Sequence, residues 1–264
     1  MKKIISLLLL IICGYIPATE QDCEKKGKIF ALIVADTNDF CIGHSVQVDV
    51  KCMEKSVSTI GKGINFSLET IVLKGSKISS GNVRHALKKI ASSSRDIIFF
   101  YYSGHGYNDP AQKTSWPTMC IPPDDIPGNK VQSLIKRKKK RSAIIMFDCC
   151  NSFTNREKRI LDSRSMIQPF FLKKSHALKA FFDLLLRFRG TITLSASNVG
   201  ETARGDPYFG GYLTRNFLMS LRELGTEGAL SWSKLCQLGA NKTSWNVKES
   251  CAQEQHPIYS IEEG

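Results

Sequence analysis

At 264 residues with 42 % hydrophobic content, the chain can bury a substantial core, and its composition excludes a disordered or collagen-like polymer. Lys and Arg number 37 against 24 Asp and Glu, a formal charge of +13 that suits acidic or anionic partners. The 9 cysteines have no zinc-finger spacing, so a structural zinc site is not expected and any disulfide pairing is unreadable.

The chain opens with Met1-Lys2-Lys3 and the apolar run Ile4 to Ile12, a basic n-region and a short h-region. Residues 1–18, ending at Pro17-Ala18, read as a signal peptide, which predicts an exported protein, secreted or periplasmic. The run is short for a membrane span. Retained uncleaved, it would be the one membrane anchor. Cleavage would remove Lys2 and Lys3 and leave a charge of +13 − 2 = +11.

The first strand is expected over Lys28–Ala35, a continuous apolar run. Val46, Val50, Met53, Val57 and Ile60 then recur on one helical face, with Gly61 and Gly63 as the expected stop. Leu68–Leu73 reads as a second strand, and Ser79 or Ser80 as the cap of a helix carrying Val83, Leu87 and Ile90. Ile97–Tyr102 and Ala143–Phe147 are the third and fourth strands. Between them lie a loop rich in proline and aspartate and a short helix from about Val131. The densest basic run, Lys136 to Arg141, has no interleaved aromatic and reads as a solvated helix end rather than a nucleic-acid site. A helix near His176–Phe188 leads to a fifth strand, Thr191–Ala196. A helix with Leu213, Phe217, Leu221 and Leu224 on its face follows, then one from about Ser231 and an extended tail, Pro257–Ile261. Alternating strands and helices predict one α/β domain over 28–261, with a mostly parallel sheet and helices on both faces.

Two strand ends carry chemistry. Ile97 to Tyr102 runs into Ser103-Gly104-His105-Gly106, and Ala143 to Phe147 runs into Asp148-Cys149-Cys150. Parallel strands end at a common edge, so an imidazole and a thiol distant in sequence can meet there. A thiol attacks a carbonyl as thiolate, which a neighbouring imidazole can generate before protonating the leaving amine. Backbone amides of Gly106 and Cys150 are candidates for holding the oxyanion.

With Asn151-Ser152 following the thiols, these motifs resemble those of the caspase-like clan of cysteine peptidases, most of all metacaspases and bacterial caspase-family proteins. Pro122-Pro123-Asp124, Ser195-Ala196-Ser197 and Gln255-His256-Pro257 extend the likeness weakly. The resemblance implies a caspase-like three-layer sandwich and peptide-bond hydrolysis by a Cys/His dyad. Cys150 would be the nucleophile, His105 the general base and acid, and Cys149 a neighbour. It also matches Asp49 and Ser103 to S1 pocket positions. With Asp148, two residues before Cys150, the pocket would carry two carboxylates and favour Arg or Lys by charge-assisted hydrogen bonds. Where the family commonly has His-Ser-Gly after the nucleophile, this chain has Asn151-Ser152-Phe153.

The expected partners are therefore protein or peptide substrates with basic residues. Basic residues within 156–174 offer sites for self-processing. No cofactor is expected; the resemblance leaves calcium dependence open, although Asp124-Asp125 alone provides too few oxygens for a site of about six ligands. The rival readings are a catalytically inactive caspase-fold scaffold and a binder of nucleic acid or anionic surfaces driven by charge.

Overall fold

The computed structural model describes residues 26–153, 160–161, 177–224 and 230–264. In chain order its first elements are β1 (Lys28–Ala35), α1 (Gly43–Ile64), β2 (Ser67–Lys74), α2 (Ser80–Lys89) and β3 (Ile97–Ser103). Three short strands follow, β4 (Gly106–Tyr107), β5 (Thr118–Met119) and β6 (Ile126–Pro127), then α3 (Gly128–Lys136) and β7 (Ser142–Asp148). The second half holds β8 (Ile160–Leu161), α4 (Ala177–Arg187), β9 (Gly190–Ser195), β10 (Arg204–Asp206) and β11 (Gly210–Gly211). It closes with α5 (Tyr212–Leu224), α6 (Trp232–Cys251) and β12 (Ile258–Glu263).

The main sheet has the order β12-β9-β7-β3-β1-β2. Only β12, at one edge, is antiparallel to its neighbour. Buried on both faces, the central strands read as unbroken apolar runs, and alternate side chains enter different cores. Ile29, Ala31 and Ile33 of β1, Phe99 and Tyr101 of β3, and Ile144 and Met146 of β7 pack with α1, α4 and α5. Phe30, Leu32 and Val34, Phe100 and Tyr102, and Ile145 and Phe147 pack with α2 and α3. Three layers result: helices, sheet, helices.

Most predicted elements differ from the observed ones by one or two residues at the ends. Helix α1 ends at Ile64, one residue past Gly63, and Asn65 caps it in the left-handed region at φ 58°. Gly63 also answers to packing: a methyl group there would lie 2.1 Å from the Phe182 ring of α4. Ser79, rather than Ser80, caps α2, its hydroxyl accepting the Asn82 N–H. The basic run does follow a helix end. Lys136 closes α3 and pairs with Glu262, while Lys138 donates to the Ile90 carbonyl and Arg141 to that of Leu186.

Candidate active site

The register of the sheet sets Ala35, Ser103 and Asp148 side by side at the carboxyl ends of β1, β3 and β7. His105 lies two residues beyond Ser103, and Cys150 two residues beyond Asp148. The two turns touch. A methyl group at Gly106 would fall 2.6 Å from Cys149 Sγ and 2.8 Å from the Cys150 carbonyl oxygen, so only glycine lets these backbones approach so closely. The sequence-level expectation that two strand ends converge at one rim therefore holds in the backbone.

His105 is held from two sides. Its carbonyl accepts hydrogen bonds from the Tyr102 hydroxyl at 2.7 Å and the Cys120 N–H at 3.0 Å. Its ring Nε2 lies 3.1 Å from Asp39 Oδ2. Asp39 belongs to the loop that joins β1 to α1, and its other oxygen accepts the N–H groups of Cys41 at 2.7 Å and Ile42 at 2.9 Å. Partial burial acts to raise the Asp39 pKa, but those two N–H groups and the His105 ring outweigh it and hold the carboxyl below its ordinary value. Asp36 goes the other way: burial first, then the Asp39 charge, raise it. An ionised Asp39 fixes the imidazole's orientation and stabilises it when charged.

Cys150 is fully buried, and its sulfur accepts the Ala203 N–H at 3.3 Å. The segment ahead of β10 thus covers the thiol. Cys149, next in the chain and equally buried, belongs to the core beneath α2 and α3, whereas Cys150 belongs to the core beneath α1. Because the Cys120 N–H binds the His105 carbonyl, Gly106 and Met119 form a non-hydrogen-bonded antiparallel pair, and the Gly106 N–H points away from β5. That leaves it turned off the small sheet, as an oxyanion donor requires.

The three predicted pocket residues come together on the α1 side. Ser103 Oγ donates to Asp49 Oδ2 at 2.7 Å, and the Gly211 N–H donates to Asp49 Oδ1 at 2.7 Å. Asp49 is 1 % exposed, so it is a buried carboxylate and not a solvated helix residue. Gly210, at φ +85°, is obligatory beside it, since a methyl group there would collide with the carboxylate. Asp148, in register with Ser103, accepts from the Thr214 N–H at 3.0 Å and the Thr214 hydroxyl at 2.6 Å, which ties β7 to the first turn of α5. Both carboxylates therefore hold the local structure together.

Asn151 is buried, with its amide linking the Asn108 side chain and the carbonyls of Ser115 and Ser197. Phe153 is 58 % exposed beside Gly200. Gln255 binds the Ala196 carbonyl and the Arg204 N–H, and so fastens β10 to the end of β9. Asp124 meets Arg84 and Ser80, and Asp125 meets Tyr107 and the Ile121 N–H. Residues 1–18, expected to be a signal peptide, and almost all of the stretch 156–174 lie outside the described residues.

Sequence reading missed Asp39 and the Ala203–Arg204 cover. Asp36 and Asp39, directly after a strand end, were a visible signal for the first. For β10 and β11, only three and two residues long, there was no period to read.

A family model described as the caspase domain matches residues 30–262. Among solved structures, caspase-1 from Spodoptera frugiperda is similar at 12 % identity and a TM-score of 0.57, over 89 % of this chain and 87 % of that one. Protein GSU0716 from Geobacter sulfurreducens is similar at 16 % identity and a TM-score of 0.54, over 90 % and 94 %. No curated protein matches the chain. The three-layer architecture is that of the caspase fold, and with the family model spanning most of its length the chain belongs to the caspase-domain family.

Proposed function

We propose that the protein is a cysteine endopeptidase in which Cys150 attacks the scissile carbonyl and His105 serves as general base and then acid. The observation that carries this reading is the contact of the His105-Gly106 turn with Cys149-Cys150 at one sheet edge. His105 would draw the thiol proton and return it to the leaving amine, with Asp39 orienting the ring. The Gly106 and Cys150 amides would receive the oxyanion. Asp49, Ser103 and Asp148 would form the floor of S1 and admit an Arg or Lys side chain. This chemistry draws on no cofactor; a calcium titration against a chelator tests for a supporting ion.

Turnover of peptides ending in Arg, Lys and Asp tests the specificity. Preferential cleavage after Arg or Lys is expected, and preference for Asp would overturn it. Self-processing within 156–174 belongs to the same proposal, and an intact band after prolonged incubation of active enzyme contradicts it. Export is proposed from residues 1–18 and predicts a mature N-terminus at Thr19.

The full burial of Cys150 favours one second reading, a silent scaffold of the same fold. Catalysis requires the Ala203 segment to withdraw from the sulfur. Failure to cleave every peptide in the panel, by folded protein, would select the scaffold.

A further inference from the structure

A trough of about 590 Å³ runs between α2 and α3, on the opposite side of the sheet from Asp49 and Cys150. Its walls are one stripe from each helix. Arg84, Leu87 and Lys88 line the α2 side, and Lys130, Leu134 and Arg137 the α3 side. The spacings i, i+3, i+4 and i, i+4, i+7 keep each set on a single face, and the α3 stripe extends roughly 10 Å at 1.5 Å per residue. Neither helix contains an acidic residue. Arg84 meets Asp124 at 3.4 Å, while Lys88, Lys130 and Arg137 have no acidic partner among the described residues. The floor is apolar, from Leu87, Ile126 and Pro127, and Leu134 remains 39 % exposed at the rim.

We propose that this trough docks an acidic amphipathic segment of a partner protein, with apolar side chains on the floor and carboxylates against the cationic rims. Helix-in-groove recognition needs this combination of apolar floor and helical-length stripe, and the charge selects an acidic occupant. Other polyanions fit less well. No aromatic side chain lines the trough to stack nucleic-acid bases. A flat bilayer surface would meet the rim cations and leave the recessed floor uncovered. The site is independent of the proposed catalysis, since it shares no residue with it.

The test uses fluorescence anisotropy with the full chain and a labelled helical peptide of about 14 residues, four turns. The probe carries Leu at i, i+3, i+4 and i+7, Glu elsewhere, and no Lys or Arg that the enzyme could cut. A peptide with Gln in place of Glu, a single-stranded DNA and an anionic phosphatidylglycerol vesicle run beside it. The Glu peptide is expected to bind at low salt and to weaken as salt screens the rims. The variant Lys130→Glu with Arg137→Glu should lose ~10-fold or more in affinity, about 1.4 kcal/mol. Lys51→Glu with Lys62→Glu, the same charge change on α1, should lose less than ~3-fold at moderate salt. Leu134→Asp should weaken the peptide as well, which general charge attraction does not predict. All five substituted residues are surface positions, and circular dichroism confirms folding. No binding of the Glu peptide, equal losses in the two charge variants, or groove-dependent binding of DNA or vesicle without peptide would each overturn the proposal.

Discussion

Cys149 and Cys150 are chemically identical neighbours, equally buried, yet they belong to different halves of the molecule. Cys150 continues the parity of Ile144 and Met146 and falls on the side of α1, where Asp49, Ser103 and Asp148 gather. Cys149 continues that of Ile145 and Phe147 and falls on the side of α2 and α3, with the cationic trough. A strand's two-residue period thus sets one thiol on the side of Asp49 and Ser103 and the other in the core beneath α2 and α3. Burial alone could not have separated them.

The largest effects should come from the pair itself. Cys150→Ala is expected to lower kcat/KM by at least ~10⁴-fold and His105→Ala by ~10³-fold, both without loss of the folded state. Comparable activity in Cys150→Ala would dissolve the distinction between the thiols. Next in size is Asp39→Asn, which should reduce kcat ~10²-fold while leaving KM nearly unchanged. The alkaline limb of its pH–rate profile should move to lower pH, because the carboxylate no longer supports the charged dyad. Its lowered carboxyl pKa also means that Asp39 favours the folded state at neutral pH and loses that contribution as the pH falls through its folded value.

Asp49→Asn probes the α1 side more gently. It keeps the shape that receives Ser103 and Gly211 but removes a charge, so turnover of Arg peptides should drop ~10- to 100-fold. A peptide with a neutral residue before the scissile bond should be affected far less. On the other side, Cys149→Ala should cost about 1 kcal/mol of stability from a small cavity and change kcat/KM less than ~3-fold.

The smallest effect concerns Asp36. Its raised pKa means that ionisation opposes folding above that value, so Asp36→Asn should melt slightly higher than wild type at neutral pH. The advantage should shrink as pH falls through the window between the raised folded value and the ordinary carboxylate range. A melting series across that window reads the sign directly.

Much of this was legible because local pattern and tertiary role agree. The runs in β1, β3 and β7 are apolar throughout since both faces are covered, and their ends announce the edge where His105 and Cys150 sit. Gly63 marks the end of α1 to within one residue, but the Asn65 cap and the approach of Phe182 that finish the turn there lay outside the local pattern. Asp39 could not be paired with His105 from sequence, since their meeting depends on β1 and β3 being neighbours. Asp49 and Gly211 are joined for a similar reason, across 162 positions of chain. The role of β10 and β11 was invisible because such short strands carry no periodic signal.

The most direct measurement is covalent capture by a peptidyl-arginine chloromethyl ketone, with the modified residue mapped by mass spectrometry in wild type, Cys149→Ala and Cys150→Ala. Label on Cys150 in wild type and in Cys149→Ala, and none in Cys150→Ala, is the predicted result. Label on Cys149, or an unmodified Cys150 in folded protein, would contradict the account.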